Sequence, residues 1–338
     1  MRIPMMLAVL LTVALSAPDP ALAWGATGHR IINGDAARSL PDSIPAFVRT
    51  PEAIAEIAAL GPEADRDRGS GKTRDSDMDP AHFLDLEDDN TIGGTLPLAQ
   101  LPPTREAYDT ALRNGAKPTD QYSRGFVPYE IVDGYELIVK DFGIWRVDSY
   151  AETHVAPADR DFFASDRRLR EVLILRDIGY WGHFVGDASQ PLHVSVHFNG
   201  WGDYPNPNNY TQSKAIHAKF ESDFVNAHAS AETVLPRIAA YARSTTPVMS
   251  RVEAYLKATN SHVPQVYQLE GAGAFDAATP AAVDFTLDRL ADGAKMMRDF
   301  IADAYAESAD AKVGYPQISV RDVLNGTVVP THSLTNGG

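Results

Sequence analysis

The chain has no cysteine, so no disulfide braces it and no thiolate can hold a metal. Any bound cation must be taken by nitrogen and oxygen ligands. Positive charge is also scarce: 30 Lys and Arg stand against 45 Asp and Glu, a formal net charge of −15. A surface of that sign argues against a tight, salt-dependent grip on a nucleic-acid backbone. It leaves room for a polyanionic substrate where divalent cations reverse the local charge. The sequence also lacks an internal repeat, a Gly-rich phosphate loop and a convincing period-two strand. Beyond the N-terminus, no run is apolar enough to cross a bilayer.

What is present is helical periodicity over 338 residues, 44% of them hydrophobic, enough to build a sizeable core. Residues 1–23 read as a signal peptide. Arg2 precedes an apolar run from Met5 to Ala17, and Ala21-Leu-Ala23 supplies a cleavage signature. The run is shorter than the roughly 20 residues of a membrane span. The mature chain is therefore expected to begin at Trp24, with a periplasmic or extracellular destination. The domain is expected over 24–310, followed by a C-terminal tail over 311–338 that is frayed.

The densest chemistry lies in Trp181-Gly-His183-Phe-Val-Gly-Asp187-Ala-Ser-Gln-Pro-Leu-His193. An apolar-periodic run (Leu169, Val172, Leu173, Leu175, Ile178) precedes it, so a core helix is expected over about 159–190. Within that helix His183 and Asp187 share a face, one turn apart. Pro191 ends it and His193 follows in the chain. A second i, i+4 pair, His217 and Glu221, is flanked by Ile216, Phe220 and Phe224 at helical spacing. One such pair is more often a hydrogen-bonded core histidine than a ligand. Two pairs and a third His favour metal, because burying that many acceptors costs several kcal/mol without compensating cations.

Elsewhere, Trp24-Gly-Ala-Thr-Gly-His29 opens a helical face, and a second helix is expected over 52–60. A charged stretch, Ala64-Asp65-Arg-Asp67-Arg68, leads to Ala81-His82-Phe83-Leu84-Asp85. Residues 88–128 read as a long, partly ordered insertion. Helices are expected over 130–145, 234–258 and 280–305. The Gly/Pro/Asn loop 197–212, with its aromatics, suits one wall of a cleft or a loop pinned to the core. The expectation is an all-α, single-domain multi-helix bundle with long loops.

Taken together, Trp24-Gly-x-x-Gly-His29, Ala64-Asp65-x-x-Arg68, His82-Phe83-Leu-Asp85, and His183-x-x-x-Asp187-x-x-x-x-x-His193 with His217-x-x-x-Glu221 resemble a known superfamily. It is that of the zinc-dependent phospholipases C and single-strand-specific nucleases. The resemblance spans nearly the whole expected mature chain. It implies a trinuclear zinc cleft. One zinc would take Asp65, His82, His183 and Asp187, and a second His193, His217 and Glu221. The third would take the amine and carbonyl of Trp24 with His29 and a bridging Asp187. A free α-amine can lose its proton to a metal, whereas a peptide nitrogen is a poor donor.

The resemblance further implies metal-assisted phosphodiester hydrolysis, with Asp65 orienting or deprotonating the attacking water. The close spacing of Trp24 and His29 matches the nuclease branch, as do Phe83 and Asp85, positions that would stack on and hydrogen-bond to a base. Single-stranded DNA or RNA is then the expected substrate, cut to 5′-phosphorylated products, with no stable protein partner implied. Arg68 either contacts phosphate or pairs with Asp65 or Asp67. Glu221 followed by Ser222 departs from the nuclease pattern and matches the phospholipase C pattern, which makes a phospholipase C-type phosphodiesterase the alternative. A non-catalytic secreted metal-binding protein is the alternative of another class.

Overall fold

The structure, a computed structural model, describes residues 24–332; the expected signal peptide lies outside the described residues. Three helices of 28 residues form the frame: Val127–His154, Arg160–Asp187 and Pro280–Glu307. At about 1.5 Å per residue each runs roughly 42 Å. The shorter Gly25–Arg38 and Pro51–Leu60 helices pack onto this frame. The fold is all-α and forms one domain around a single large core, with two satellite apolar clusters.

Local signals explain several boundaries. Thr50 and Thr279 cap their helices by accepting from the Ala53 and Ala282 main-chain N–H, each with proline at the next position. The Val127–His154 and Arg160–Asp187 helices approach closely where Gly134 faces Trp181. A Cβ at Gly134 would fall 2.0 Å from the Trp181 ring, and the Trp181 indole donates to the Ile131 carbonyl at 3.0 Å. This contact seats the ligand-bearing end of the second helix in the core.

Four expectations need correction. The helix expected over 234–258 is split: a turn over Ala231–Val234 and a 3-10 segment to Arg237 precede irregular chain, and the helix resumes at Val248–Asn260. Pro236 and Pro247 cannot donate into a continuous helix, which accounts for the break. The helix carrying His183 ends at Asp187, and Pro191 instead opens a 3-10 turn, Pro191–Val194, that carries His193.

The 88–128 stretch is ordered throughout, with a two-strand ladder (Thr91–Ile92 against Leu96–Pro97) and an Arg105–Arg113 helix that buries Tyr108 and Leu112. The segment after Ser308 is not frayed as far as 332. Lys312–Val313 pairs with Ile318–Ser319, and Val313, Val320 and Val323 bury against Val147. Valines separated by polar residues were enough to hold it once that helix face was available.

Candidate metal centre and cleft

Six stretches of chain deliver the side chains. The Gly25–Arg38 helix carries His29, and the 3-10 turns Ala64–Asp67 and Asp79–His82 carry Asp65 and His82. The C-terminal turn of the Arg160–Asp187 helix carries His183 and Asp187, and the 3-10 turn after it carries His193. The helical turn Ile216–Ala218, running into a π-helical turn over Lys219–Phe224, carries His217 and Glu221. Asp187, wholly buried, stands between two imidazoles. Its Oδ1 lies 3.3 Å from His29 Nε2 and its Oδ2 3.3 Å from His183 Nε2. His183 Nε2 is also 3.7 Å from Asp65 Oδ1, which lies 3.9 Å from His82 Nε2. Glu221 Oε2 gathers a separate pair, at 2.9 Å from His217 Nε2 and 3.5 Å from His193 Nε2. Donor atoms therefore come together in three groups: His29, His183 and Asp187; Asp65, His82 and His183; and His193, His217 and Glu221.

The hydrogen bonds around the imidazoles fix which nitrogen faces inward. His183 Nδ1 lies 2.8 Å from the Gly61 carbonyl and His193 Nδ1 lies 2.9 Å from the His82 carbonyl. His82 Nδ1 is 3.1 Å from both the Met78 and Asp79 carbonyls. A carbonyl only accepts, so Nδ1 carries a proton in all three and Nε2 is the nitrogen turned towards the carboxylates. Buried Nε2 atoms of His29, His82, His183, His193 and His217 have no hydrogen-bond partner among the described residues. Neither do both oxygens of Asp187 and Oε1 of Glu221. A set of satisfied core histidines would leave no such collection of orphaned acceptors. The donor set, imidazole nitrogen and carboxylate oxygen only, fits Zn²⁺.

The electrostatics are those of a crowded anion and imidazole cluster. Burial and the neighbouring His183 ring hold the His29 imidazole below its ordinary range. Those two rings stack at 3.8 Å between centroids, so both cannot be cationic together. Burial and His183 also hold His82 well down. For His193 burial opposes charge, but Asp187 and Glu221 outweigh it and push the imidazole up to about 9. Burial would raise the Asp187 carboxyl, yet His183 and His193 hold it well below the usual carboxylate range. Protons on the imidazoles thus offset the carboxylates here, a role that a bound cation would take over.

A cleft of about 280 Å³ opens onto this centre through His82, His193 and His217; the other ligand candidates do not line it. Arg68, Phe83 and Asp85 line it. The Phe83 to Asp85 segment is held in place by main-chain bonds from Leu84 N–H to the His193 carbonyl (2.9 Å) and from Asp85 N–H to the Arg124 carbonyl (2.8 Å). Gly125 makes the close passage possible. It sits at φ +77°, and a Cβ there would strike the Phe83 carbonyl at 2.1 Å. Burial pushes the Asp85 carboxyl up to about 7. Arg68 donates to Asp79 at 2.7 Å and reaches Asp65 Oδ1 at 3.4 Å; Asp67 pairs instead with Arg74 and Tyr180.

Trp24 is fully buried, with its indole N–H on Ser189 Oγ at 2.8 Å and its ring against Phe220. This holds it one residue before the Gly25–Arg38 helix that carries His29.

No protein-family model matches the chain, and no curated protein does. Among solved structures it is similar to the alpha-toxin of Clostridium perfringens, avian strain SWCP. The identity is 14% and the TM-score 0.41, over 87% of this chain and 68% of that one. It is also similar to the alpha toxin of Clostridium absonum, at 12% identity and a TM-score of 0.43, over 88% of this chain and 69% of that one. Likenesses this distant assign no activity; the site's own geometry has to do so.

That geometry includes residues the sequence did not single out. Phe198 and Asn199 line the cleft, and Phe198 leaves 41% of its surface exposed. The rest of the aromatic loop is pinned: His197 is buried against Trp201, whose ring also meets Tyr210 and Tyr267. So the loop both walls the cleft and packs on the core, with the change of role between Phe198 and Trp201. The available signal was an aromatic, Phe198, three residues before Trp201 in the Gly/Pro/Asn loop.

Proposed function

We propose that this chain is a zinc-dependent phosphodiesterase that hydrolyses single-stranded nucleic acid, giving 5′-phosphorylated products. The convergence of three His/carboxylate groups on the floor of one cleft carries the reading. Asp65, His82, His183 and Asp187 would hold one zinc, His193, His217 and Glu221 a second, and Trp24, His29 and Asp187 a third. Zinc bound there supplies Lewis acidity for a phosphoryl oxygen and brings the pKa of water towards neutrality.

The chain's own residues supply the remainder. Asp65 presents Oδ1 beside the His82 and His183 rings, where it can accept the proton of an attacking water. The Arg68 guanidinium stands in the cleft wall as the phosphate contact, held by Asp79. Phe83 offers a face to an unpaired base, a contact contributing about 1–3 kcal/mol. Asp85, titrating about pH 7, presents both a donor and an acceptor to the base edge near neutrality. Because a paired base cannot reach Phe83, single strands are preferred over duplex. Among the described residues no helix is long and apolar enough to cross a membrane. Export through removal of residues 1–23 is part of the same reading.

One observation favours a second reading, a phospholipase C-type activity: Glu221 stands where the nuclease branch carries Asp. Rates on denatured DNA, duplex DNA and phosphatidylcholine vesicles decide between them. The proposal expects denatured DNA to be cut fastest and the vesicles to be left intact. Vesicle hydrolysis without DNA cleavage would transfer the assignment to phospholipase C. A zinc-loaded protein inert on all three would be a metal-binding protein without catalysis.

A further inference from the structure

Gln190 touches no cleft surface and is wholly buried, yet its amide joins two of the segments that build the centre. Its Oε1 accepts from the Leu192 main-chain N–H at 2.5 Å, and its Nε2 donates to Glu221 Oε2 at 3.2 Å. The orientation of the amide is fixed by its partners: a main-chain N–H cannot accept, and an ionised carboxylate cannot donate.

The two bonds act on two ligands of one site. The bond to Leu192 caps the Pro191–Val194 turn that carries His193. The bond to Glu221 fixes the carboxylate inside the π-helical turn Lys219–Phe224, where the main chain departs from regular helix spacing. His193 Nε2 and His217 Nε2 point at the oxygen that Gln190 holds. Glu221 Oε1 is left without a donor. A flexible glutamate side chain is thereby locked in one rotamer by a neighbour on another segment, before any cation arrives.

We infer that Gln190 is a positioning residue for the His193, His217 and Glu221 site, setting the Glu221 carboxylate and the His193 turn in register. The inference rests on the zinc reading above. It predicts a selective effect: loss of the Gln190 amide weakens one ion and spares the other two. Gln190 meets their ligand Asp187 only through a main-chain bond (Gln190 N–H to the Asp187 carbonyl, 2.9 Å) that a side-chain change keeps.

The test is zinc retention under graded chelator competition, read by elemental analysis, on wild type, Gln190→Met and Gln190→Asn. Met keeps the length of the side chain without the amide. Asn keeps an amide too short to bridge Leu192 and Glu221, and decides the matter if the Met variant does not fold. Both are expected to hold two zinc ions at chelator strengths where wild type holds three, a fall of about 10–100-fold in affinity at one site. In a Glu221→Ala background the Gln190 change should have no further effect on zinc. Retention of all three ions at wild-type strength overturns the inference. So does a loosening of all three together, accompanied by an equal drop in melting temperature of the metal-free protein, which is what a merely structural Gln190 would give. A wild type that holds no zinc fails at the first measurement, and the zinc reading falls with it.

Discussion

His183 and Asp187 stand one helical turn apart, with Nε2 3.3 Å from Oδ2, and the other carboxylate oxygen lies as close to His29. Asp187 is thus in contact with both groups at this end of the centre. An amide in its place would offer one weak acceptor where two charged oxygens now serve. Asp187→Asn is expected to lower activity by at least about 100-fold, since even outer partners of a metal site are worth 10–100-fold. It should also reduce the metal content by more than any other single ligand change. Near wild-type metal content in that variant would show that Asp187 is not shared between ions.

Trp24 yields a prediction about the chain's start. Its indole is fixed on Ser189, so its main-chain atoms cannot drift from the His29 helix. If its free amine is a ligand, a chain beginning at Trp24 should hold one more zinc than a chain extended by a single residue. The extended form should fold with the same helical content, be nearly inactive, and recover when a protease exposes Trp24. Equal zinc and equal activity in the two forms would remove Trp24 from the ligand set.

Phe83 is only partly buried and lines the cleft, so its removal should affect substrate more than fold. Phe83→Ala is expected to weaken binding of a single-stranded oligonucleotide by about 1–3 kcal/mol and leave zinc content unchanged. A structural role would instead appear as a loss of melting stability, roughly 3–5 kcal/mol for a fully buried ring. Oligonucleotide titration and thermal melting of the same variant separate the two.

Away from the centre, Asp148 offers a pH test of the frame. It is fully buried in the Val127–His154 helix, with neither oxygen hydrogen-bonded among the described residues. Burial, and then the Asp166 carboxyl, push it up to about 8. The native state therefore binds more protons than the unfolded chain between about pH 4 and pH 8. Its contribution to stability is complete below the unfolded pKa and is lost as pH rises through about 8. Asp148→Asn mimics the protonated form, so its melting temperature should match wild type near pH 4 and exceed it at pH 8. An equal or lower value at pH 8 would contradict this.

Much of the frame was legible because helical spacing is a local signal: the runs leading to Asp187 and the face of 280–305 could be read directly. Two pairs of ligand candidates, His183 with Asp187 and His217 with Glu221, were legible for the same reason, one turn apart, whereas Trp24, His29, Asp65 and His82 entered as ligands only through the resemblance. What escaped depends on distant packing. The sequence suggests His183 as a ligand of one ion, but only the tertiary arrangement stacks it on His29 and places it in two groups. The π-helical turn at Glu221 and the ordering of the tail against Val147 likewise need partners far along the chain. Gln190 lay in plain view beside Pro191, but nothing local indicates that its amide reaches a residue 31 positions away.

The central claim is that the orphaned nitrogens and oxygens of this cleft are ligands for three cations. Elemental analysis of the protein beginning at Trp24, purified without chelator, tests it most directly. The account predicts close to three zinc ions per chain, released on acidification as the imidazoles take up protons. One ion or none, in a folded protein given excess zinc, would contradict it.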